Sequence, residues 1–162
     1  MEPEIIIDGY NLIHRTPELR RWVDTDLEKA RNGLIFRLRE FSRGKHIRVT
    51  VVFDGNFVGQ PSSAVQGNLE IRYAMPPRDA DSEIKLLLQK RSNTQNITVV
   101  SSDKSVRDFA RSCRANTVSS EEFARKYLAI ENKFGQESGR TSMSKEELEE
   151  WLRLFGEKDG TQ

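Results

Sequence analysis

The sequence of 162 residues has little of several residue types on which other protein classes depend. Its single cysteine, Cys113, excludes an internal disulfide and a multi-cysteine zinc site. No apolar run approaches the roughly 20 residues of a membrane-spanning helix. The start, Met1–Glu4, is acidic and lacks the basic and apolar regions of a signal peptide. We therefore expect a cytoplasmic protein that is neither exported nor embedded in a membrane.

An excess of charge of one sign is also lacking, because 26 Lys and Arg side chains face 25 Asp and Glu, for a net charge of +1. The hydrophobic share of 36% and the charged share of 31% are those of a folded domain and argue against disorder. The charges are unevenly distributed, since residues 131–162 carry 5 basic and 8 acidic side chains. Everything before residue 131 is therefore basic, by 21 to 17. That surplus is compatible with a polyanionic partner.

Apolar β-branched runs alternate along the chain with helical patterns, and an acidic or turn-forming residue follows each run. The predicted strands are Ile5–Ile7, Val49–Phe53, Leu69–Met75 and Ile97–Val100, with a short extended stretch at Asn116–Val118. Residues 56–68 are rich in Gly, Ser, Gln and Asn and are predicted to be a loop. Thr25 and Glu28 are predicted to form a capping box before the first long helix. This alternation predicts a three-layer α/β/α sandwich with a mostly parallel central sheet.

The composition divides the chain into a domain and an appendage. We expect an α/β domain at 1–132, a Gly- and Ser-rich linker at 133–143, an amphipathic helix at 144–156 and a disordered tail at 157–162. The helix would present Leu148, Trp151, Leu152 and Phe155 on one side. It either packs back on the domain or docks on a protein partner, the ribosome or a second copy of the chain.

Five carboxylates follow the predicted strands: Asp8, Asp54, Asp79, Asp81 and Asp103. The carboxyl ends of parallel strands meet at one edge of a sheet, so these side chains are predicted to share a site. Each one alone has a structural explanation as a turn former or helix cap, but their joint occurrence at successive strand ends favours a common role. Like charges held together require a cation, and oxygen ligands without nearby His or Cys favour Mg²⁺ or Mn²⁺ over zinc.

Four motifs occur in an order that resembles the NYN domain, in the YacP-like branch of the PIN-like ribonucleases. They are IIIDGYNLI at Ile5–Ile13, VVFDG at Val51–Gly55, ADS at Ala80–Ser82 and VSSD at Val100–Asp103. The resemblance spans about residues 4–130 and implies a PIN-like fold and a metal-dependent RNA endonuclease. The chain departs from the family pattern in two places, with Asp79 where relatives often have Thr and Lys85 where they often have Glu.

Carried over by position, the resemblance makes Asp8, Asp54, Asp81 and Asp103 the acidic site, with Asn11 contacting metal or substrate and Ser102 supporting Asp103 by a hydrogen bond. Our hypothesis is that Asp8 and Asp103 bind the metal directly, and that the other two complete the site directly or through water. Water activated by the metal would then hydrolyse the phosphodiester, without a histidine as base.

RNA as the substrate requires positive charge around this acidic edge. The candidate RNA-binding residues, each of which also has an ordinary explanation as a solvated or core side chain, are Arg15, Arg20, Arg21, Arg78, Lys104, Arg107 and Tyr10.

Two other functions remain open from the sequence. A receiver-like phosphoacceptor would also place aspartates around Mg²⁺ and would use Asp54, but it normally has paired acids after its first strand, where this chain has Asp8 alone. An RNA- or ribosome-binding module with a vestigial acidic site would be non-catalytic. Only a measurement of activity separates it from a ribonuclease.

Overall fold

A computed structural model describes residues 2–55 and 63–128 of the chain. The strands are β1 (Glu4–Asp8), β2 (Arg48–Asp54), β3 (Ser63–Gln66), β4 (Leu69–Ala74), β5 (Ile97–Val100) and β6 (Asn116–Val118). The helices are α1 (Gly9–His14), α2 (Pro17–Arg20), α3 (Leu27–Ser42), α4 (Ala80–Lys90), α5 (Lys104–Ser112) and α6 (Ser120–Phe123), and a π-helical turn at Ala124–Leu128 follows them.

The six strands form one sheet in the order β3-β4-β2-β1-β5-β6. All neighbouring strands are parallel except β3 and β4, which are antiparallel. Strand β1 lies in the middle, where Ile7 is in register with Val51 of β2 on one side and with Val100 of β5 on the other. The predicted mostly parallel sheet is confirmed. The central strands are buried on both faces, which explains their continuous apolar runs.

Helices cover both faces of the sheet, and alternation along β1 separates the two cores. Ile5 and Ile7 pack on one side with α1, α3 and the π-helical turn, in a core that includes Leu34, Phe41 and Phe123. Ile6 points to the other side, where it packs against α4 and α5. The three-layer α/β/α architecture expected from the sequence is therefore present.

Three local predictions were incomplete or wrong. Strand β3 lies within residues 56–68, which were predicted to be a loop. The strand was missed because it is a short, largely exposed edge strand without a buried apolar run. The residue that caps α3 is Asp26, whose carboxylate accepts from Lys29 N–H, so the predicted capping box of Thr25 and Glu28 is wrong. The short helices α1 and α2 were not predicted.

The predicted linker at 133–143, the amphipathic helix at 144–156 and the tail at 157–162 lie outside the described residues. Within residues 2–55 and 63–128, no helix combines the length and the apolar character needed to cross a bilayer.

Candidate functional site

The parallel topology brings three of the predicted carboxylates to one edge of the sheet. Asp8 ends β1, Asp54 ends β2 and Asp103 follows β5, so Asp8 lies between the other two. Burial raises the pKa of Asp8 to about 6, opposed by a hydrogen bond from Ser101 and reinforced by the negative charges of Asp103 and Asp54. A carboxylate that is desolvated beside two like charges is the electrostatic setting in which a cation binds favourably.

Ser101 connects two of these aspartates. Its Oγ donates to Asp8 Oδ2 at 3.1 Å and accepts from the backbone N–H of Asp103 at 3.1 Å. Ser101 is fully buried at the end of β5. The neighbouring Ser102, to which the sequence assigned this support, instead donates from Oγ to Glu121 Oε1 and accepts from Ser120 N–H. Within the described residues, Ser101 is therefore the hydroxyl that orients the aspartates.

Asn11 holds α1 against the segments that follow β5 and β6. Its side-chain Oδ1 accepts from Ser102 N–H at 2.9 Å and from Ser120 Oγ at 2.6 Å. The carbonyl oxygen is thus used within the protein, and the predicted contact with substrate would be made through the amide nitrogen. The sequence did not identify Ser120 and Glu121 as residues that contact the site. The feature it did show nearby was the predicted helix cap at Ser119, which begins α6.

Asp54 and Asp103 each accept a backbone hydrogen bond at the start of a helix. Asp54 Oδ1 accepts from Ala80 N–H at 2.7 Å, which joins the end of β2 to the first turn of α4. Asp103 caps α5, with Oδ1 accepting from Ser105 N–H at 2.8 Å and Val106 N–H at 3.3 Å. These bonds fix the direction of both carboxylates toward the same edge as Asp8.

The two acids at the start of α4 have other partners. Asp79 is an exposed cap whose Oδ1 accepts from Ser82 N–H at 2.9 Å, and this bond lowers the pKa of Asp79. Asp81 forms an ion pair with Lys85, with 3.1 Å between Oδ1 and Nζ. That pair has no hydrogen-bond geometry, and Asp81 Oδ1 is buried. The ammonium of Lys85 thus compensates the negative charge of Asp81.

The donor set suits a hard cation, although it is not a complete cage. No three His, Cys, Asp or Glu side chains in residues 2–55 and 63–128 converge closely enough to hold an ion among them. Mg²⁺ usually keeps several water ligands and is bound through one or two carboxylates. Asp8 with one neighbouring aspartate fits that mode of binding.

Several of the candidate RNA-binding cations are engaged in ion pairs. Arg15 lies 3.4 Å from Glu121, Arg78 lies 3.1 Å from Glu83, and Lys104 lies 2.6 Å from Asp108. Three cations of this set remain. Arg20 ends α2, and Arg21 follows it and lies over the Trp22 ring. Arg107 lies on α5 and is partly buried. The pairs of Arg15 and Lys104 are exposed and contribute little to stability, so these two cations can exchange a carboxylate for a phosphate at small cost. Arg78 differs, because its partner Glu83 is buried.

Tyr10 is half-buried beside the acidic edge, and it is held by contacts that the sequence did not reveal. Its ring packs on Phe53 with a centroid distance of 5.1 Å, and Phe53 stacks on Tyr73 at 5.8 Å. The Tyr10 hydroxyl accepts from Arg31 Nη1 at 3.2 Å. Arg31 is 5% exposed and lies in α3, 21 residues further along the chain, so no local motif marked it.

Comparison with known proteins agrees with this fold and shows the family. The family model for the YacP-like NYN domain matches residues 5–155. The protein YacP of Bacillus subtilis (strain 168), described as uncharacterized, is 32% identical over 101 residues, which are 61% of this chain and 59% of that protein. The chain thus spans less than two thirds of that relative's length.

Solved structures show the same similarity. The crystal structure of Rae1 (YacP) from Bacillus subtilis superposes with a TM-score of 0.65 at 28% identity and covers 82% of this chain and 77% of that one. The structure of a mutant of the same protein has a TM-score of 0.62 at 23% identity, with coverage of 98% and 95%.

Proposed function

Because the chain belongs to the YacP-like NYN domain family, which is a family of PIN-like nucleases, we propose that it is a metal-dependent endoribonuclease that hydrolyses phosphodiester bonds in RNA. The observation that carries the proposal is the environment of Asp8. This carboxylate is partly buried at the carboxyl edge of a parallel sheet, where the charges of Asp54 and Asp103 act on it. Such a site is stabilised by a divalent cation, and a divalent cation can activate the water and stabilise the charge that develops in phosphodiester hydrolysis.

The proposed metal is Mg²⁺ or Mn²⁺. When bound, either ion supplies an activated water and neutralises the charge that develops on the phosphate and on the leaving oxygen. Asp8 and Asp103 would hold it, and Asp54 and Asp81 would complete the site directly or through water. Ser101 keeps both binding carboxylates in place, because its single hydroxyl contacts Asp8 and the backbone of Asp103.

The substrate proposed for this site is single-stranded RNA, such as mRNA, in solution or on the ribosome. Tyr10 is placed two residues after Asp8 and has a ring on which a base can stack. Arg15, Arg78 and Lys104 are exposed cations around the same edge and would contact phosphates. The phosphate contacts would position the strand along the acidic edge. Stacking of one base on Tyr10 would fix how closely the strand approaches the carboxylates.

A second candidate is a non-catalytic RNA- or ribosome-binding module. The observation in its favour is that no three acidic side chains converge on one point within residues 2–55 and 63–128. In that case the acidic edge would be a remnant, and the cations around it would still bind RNA.

Incubation of the full-length protein with mixed structured and single-stranded RNAs separates the two candidates. Wild type is expected to cleave with Mg²⁺ or Mn²⁺ and not with EDTA, whereas Asp8→Asn is expected to lose cleavage by at least about a hundredfold. Asp24→Asn is the matched control, because Asp24 is an exposed aspartate before α3. Equal cleavage by wild type and Asp8→Asn would reject the site. Binding without cleavage, also in the presence of translating ribosomes, would establish the second candidate.

A further inference from the structure

A groove runs away from the acidic edge between helix α3 and the β3-β4 hairpin. The section nearer the acidic edge, of about 360 Å³, is lined by residues that include Arg31, Phe36, Arg39, Gln66 and Tyr73. A second section, of about 570 Å³, shares Arg39 and Gln66 with the first and continues to Arg43 and Asn68. The two sections therefore adjoin at Arg39 and Gln66. We propose that this groove, the α3 groove, binds the single-stranded RNA segment that flanks the cleaved bond.

The groove begins at the candidate site. Helix α3 follows the carboxyl end of β1 and returns to the amino end of β2, so its first turns lie near the acidic edge and its last turns lie far from it. Arg31, near the start, donates to the hydroxyl of Tyr10, and the charge of Asp54 acts on the same Tyr10. A strand held at Tyr10 would thus reach the α3 groove without leaving the protein surface.

The charge along the groove fits a phosphate backbone. Arg39 and Arg43 are exposed on its α3 wall, about one helical turn apart. Arg31 is buried nearer the acidic edge, where it holds Tyr10. Glu28 is the single carboxylate among the described residues that line the two sections. The two exposed guanidinium groups can bind neighbouring phosphates of an extended strand.

The groove also offers groups that contact bases. Phe36 is 57% exposed, which is unusual for a large aromatic ring, and polar and apolar side chains line the groove around it. A ring in this position is a stacking surface for any base. Gln66 Oε1 accepts from Arg39 Nη1 at 3.1 Å across the groove, and this exposed bond can be replaced by bonds to a nucleotide. Exposed arginines, side-chain amides and two aromatic rings match single-stranded RNA better than an apolar protein segment.

The proposal rests on the proposed function in taking RNA as the ligand, and binding experiments test it separately from cleavage. The probes are a fluorescein-labelled, unstructured 12-nucleotide RNA and a trinucleotide, measured by anisotropy with the full chain in EDTA. For the longer RNA, Phe36→Ala is expected to weaken binding roughly fivefold or more, and Phe36→Trp is expected to retain it. Arg39→Glu and Arg43→Glu are each expected to reduce the slope of log affinity against log salt by about one.

Arg111→Glu is the matched control for Arg43→Glu. Each arginine is exposed and pairs with an acid three residues earlier, Arg43 with Glu40 at 2.7 Å and Arg111 with Asp108 at 3.5 Å. Arg111 lies on α5, on the opposite side of the sheet, so its substitution is expected to leave affinity unchanged. The trinucleotide, which is too short to fill the groove, is expected to bind all variants equally.

The outcomes separate the groove from the activity. Unchanged binding of the longer RNA by Phe36→Ala, Arg39→Glu and Arg43→Glu would overturn the groove, even if the wild type cleaves RNA. Equal losses with Arg111→Glu would also overturn it, because they would show a general charge effect. Binding that depends on the groove, in a wild type that never cleaves, would keep the groove and retract the nuclease activity. A wild type that binds no RNA would retract both.

Discussion

Ser101 Oγ lies 3.1 Å from Asp8 Oδ2 and donates a hydrogen bond to it across the boundary between β5 and β1. The same oxygen accepts from the backbone N–H of Asp103. One buried hydroxyl therefore sets the relative positions of the two carboxylates to which we assign the metal. Since Ser101 itself contacts neither RNA nor metal in this scheme, it is a positioning residue.

Replacement of Ser101 by Ala is expected to raise the pKa of Asp8 above its value of about 6, because the hydrogen bond from Ser101 lowers that pKa. A hydrogen bond to a charged group contributes about 1.5–3 kcal/mol, so the rise is expected to be about one unit or more. NMR titration of the Asp8 carboxyl carbon in metal-free protein measures it. Ser102→Ala is the control, since Ser102 contacts Glu121 and Ser120. A pKa that moves with Ser102→Ala and not with Ser101→Ala would contradict the assignment.

Stability should depend on pH through Asp8. Its pKa in the folded state, about 6, is above the ordinary value of 3.8, so the charged form is disfavoured by folding. Below about pH 3 the carboxyl is mostly protonated in both states and costs little, whereas above pH 6 the folded protein is destabilised by about 2–3 kcal/mol. Asp8→Asn removes this cost.

We therefore expect metal-free Asp8→Asn to be more stable than wild type at pH 8, with the difference nearly gone by about pH 3. Urea unfolding at several pH values in EDTA gives the two curves. Saturating Mg²⁺ should reduce the difference at pH 8, because the ion stabilises only the charged carboxylate. A difference in unfolding free energy that is the same at about pH 3 and at pH 8 would show that Asp8 is not the group responsible.

The sequence was sufficient for the features that depend on long apolar runs. Strands β1, β2 and β5 are buried on both faces, so their composition alone indicated a parallel sheet and therefore the meeting of Asp8, Asp54 and Asp103. Strand β3 was missed because an exposed edge strand needs no apolar side chains.

The site details that sequence could not supply are those set by tertiary contacts. Ser101 and Ser102 are identical neighbours in the chain, and only their opposite burial decides which one reaches Asp8. The bond between Arg31 and Tyr10 joins residues 21 positions apart in two helices. The ion pair of Asp81 with Lys85 differs from these contacts, because it is local. Opposite charges four residues apart on a helix favour such a pair, so the sequence alone could have indicated it.

Lys85 is expected to limit metal binding. Its ammonium lies 3.1 Å from Asp81 Oδ1 and compensates a carboxylate that would otherwise contribute to the acidic site. Lys85→Gln should therefore tighten Mn²⁺ binding several-fold, measured by calorimetry, and Asp81→Asn should weaken binding less than Asp8→Asn. Lys90→Gln, at the exposed end of the same helix, is the control. Equal Mn²⁺ affinities for wild type and Lys85→Gln would show that Asp81 lies outside the site.

The close approach of Gly9 to Phe53 should make position 9 intolerant of any side chain. A Cβ placed there would lie 2.5 Å from Cδ1 and Cε1 of the Phe53 ring, which is itself fully buried and packs on Tyr10. Gly9→Ala must displace that ring and is expected to destabilise the fold by about 1–3 kcal/mol, measured by urea unfolding.

A double-mutant cycle with Phe53→Leu distinguishes this clash from a general loss of backbone freedom. The smaller side chain leaves room for the added methyl group, so Gly9→Ala should cost less in the Phe53→Leu background than in wild type, with a coupling energy of at least about 0.5 kcal/mol. Additive effects would contradict the clash. Because Gly9 separates Asp8 from Tyr10, the displaced ring should also move both groups, and RNA cleavage by Gly9→Ala should fall more than its stability alone requires.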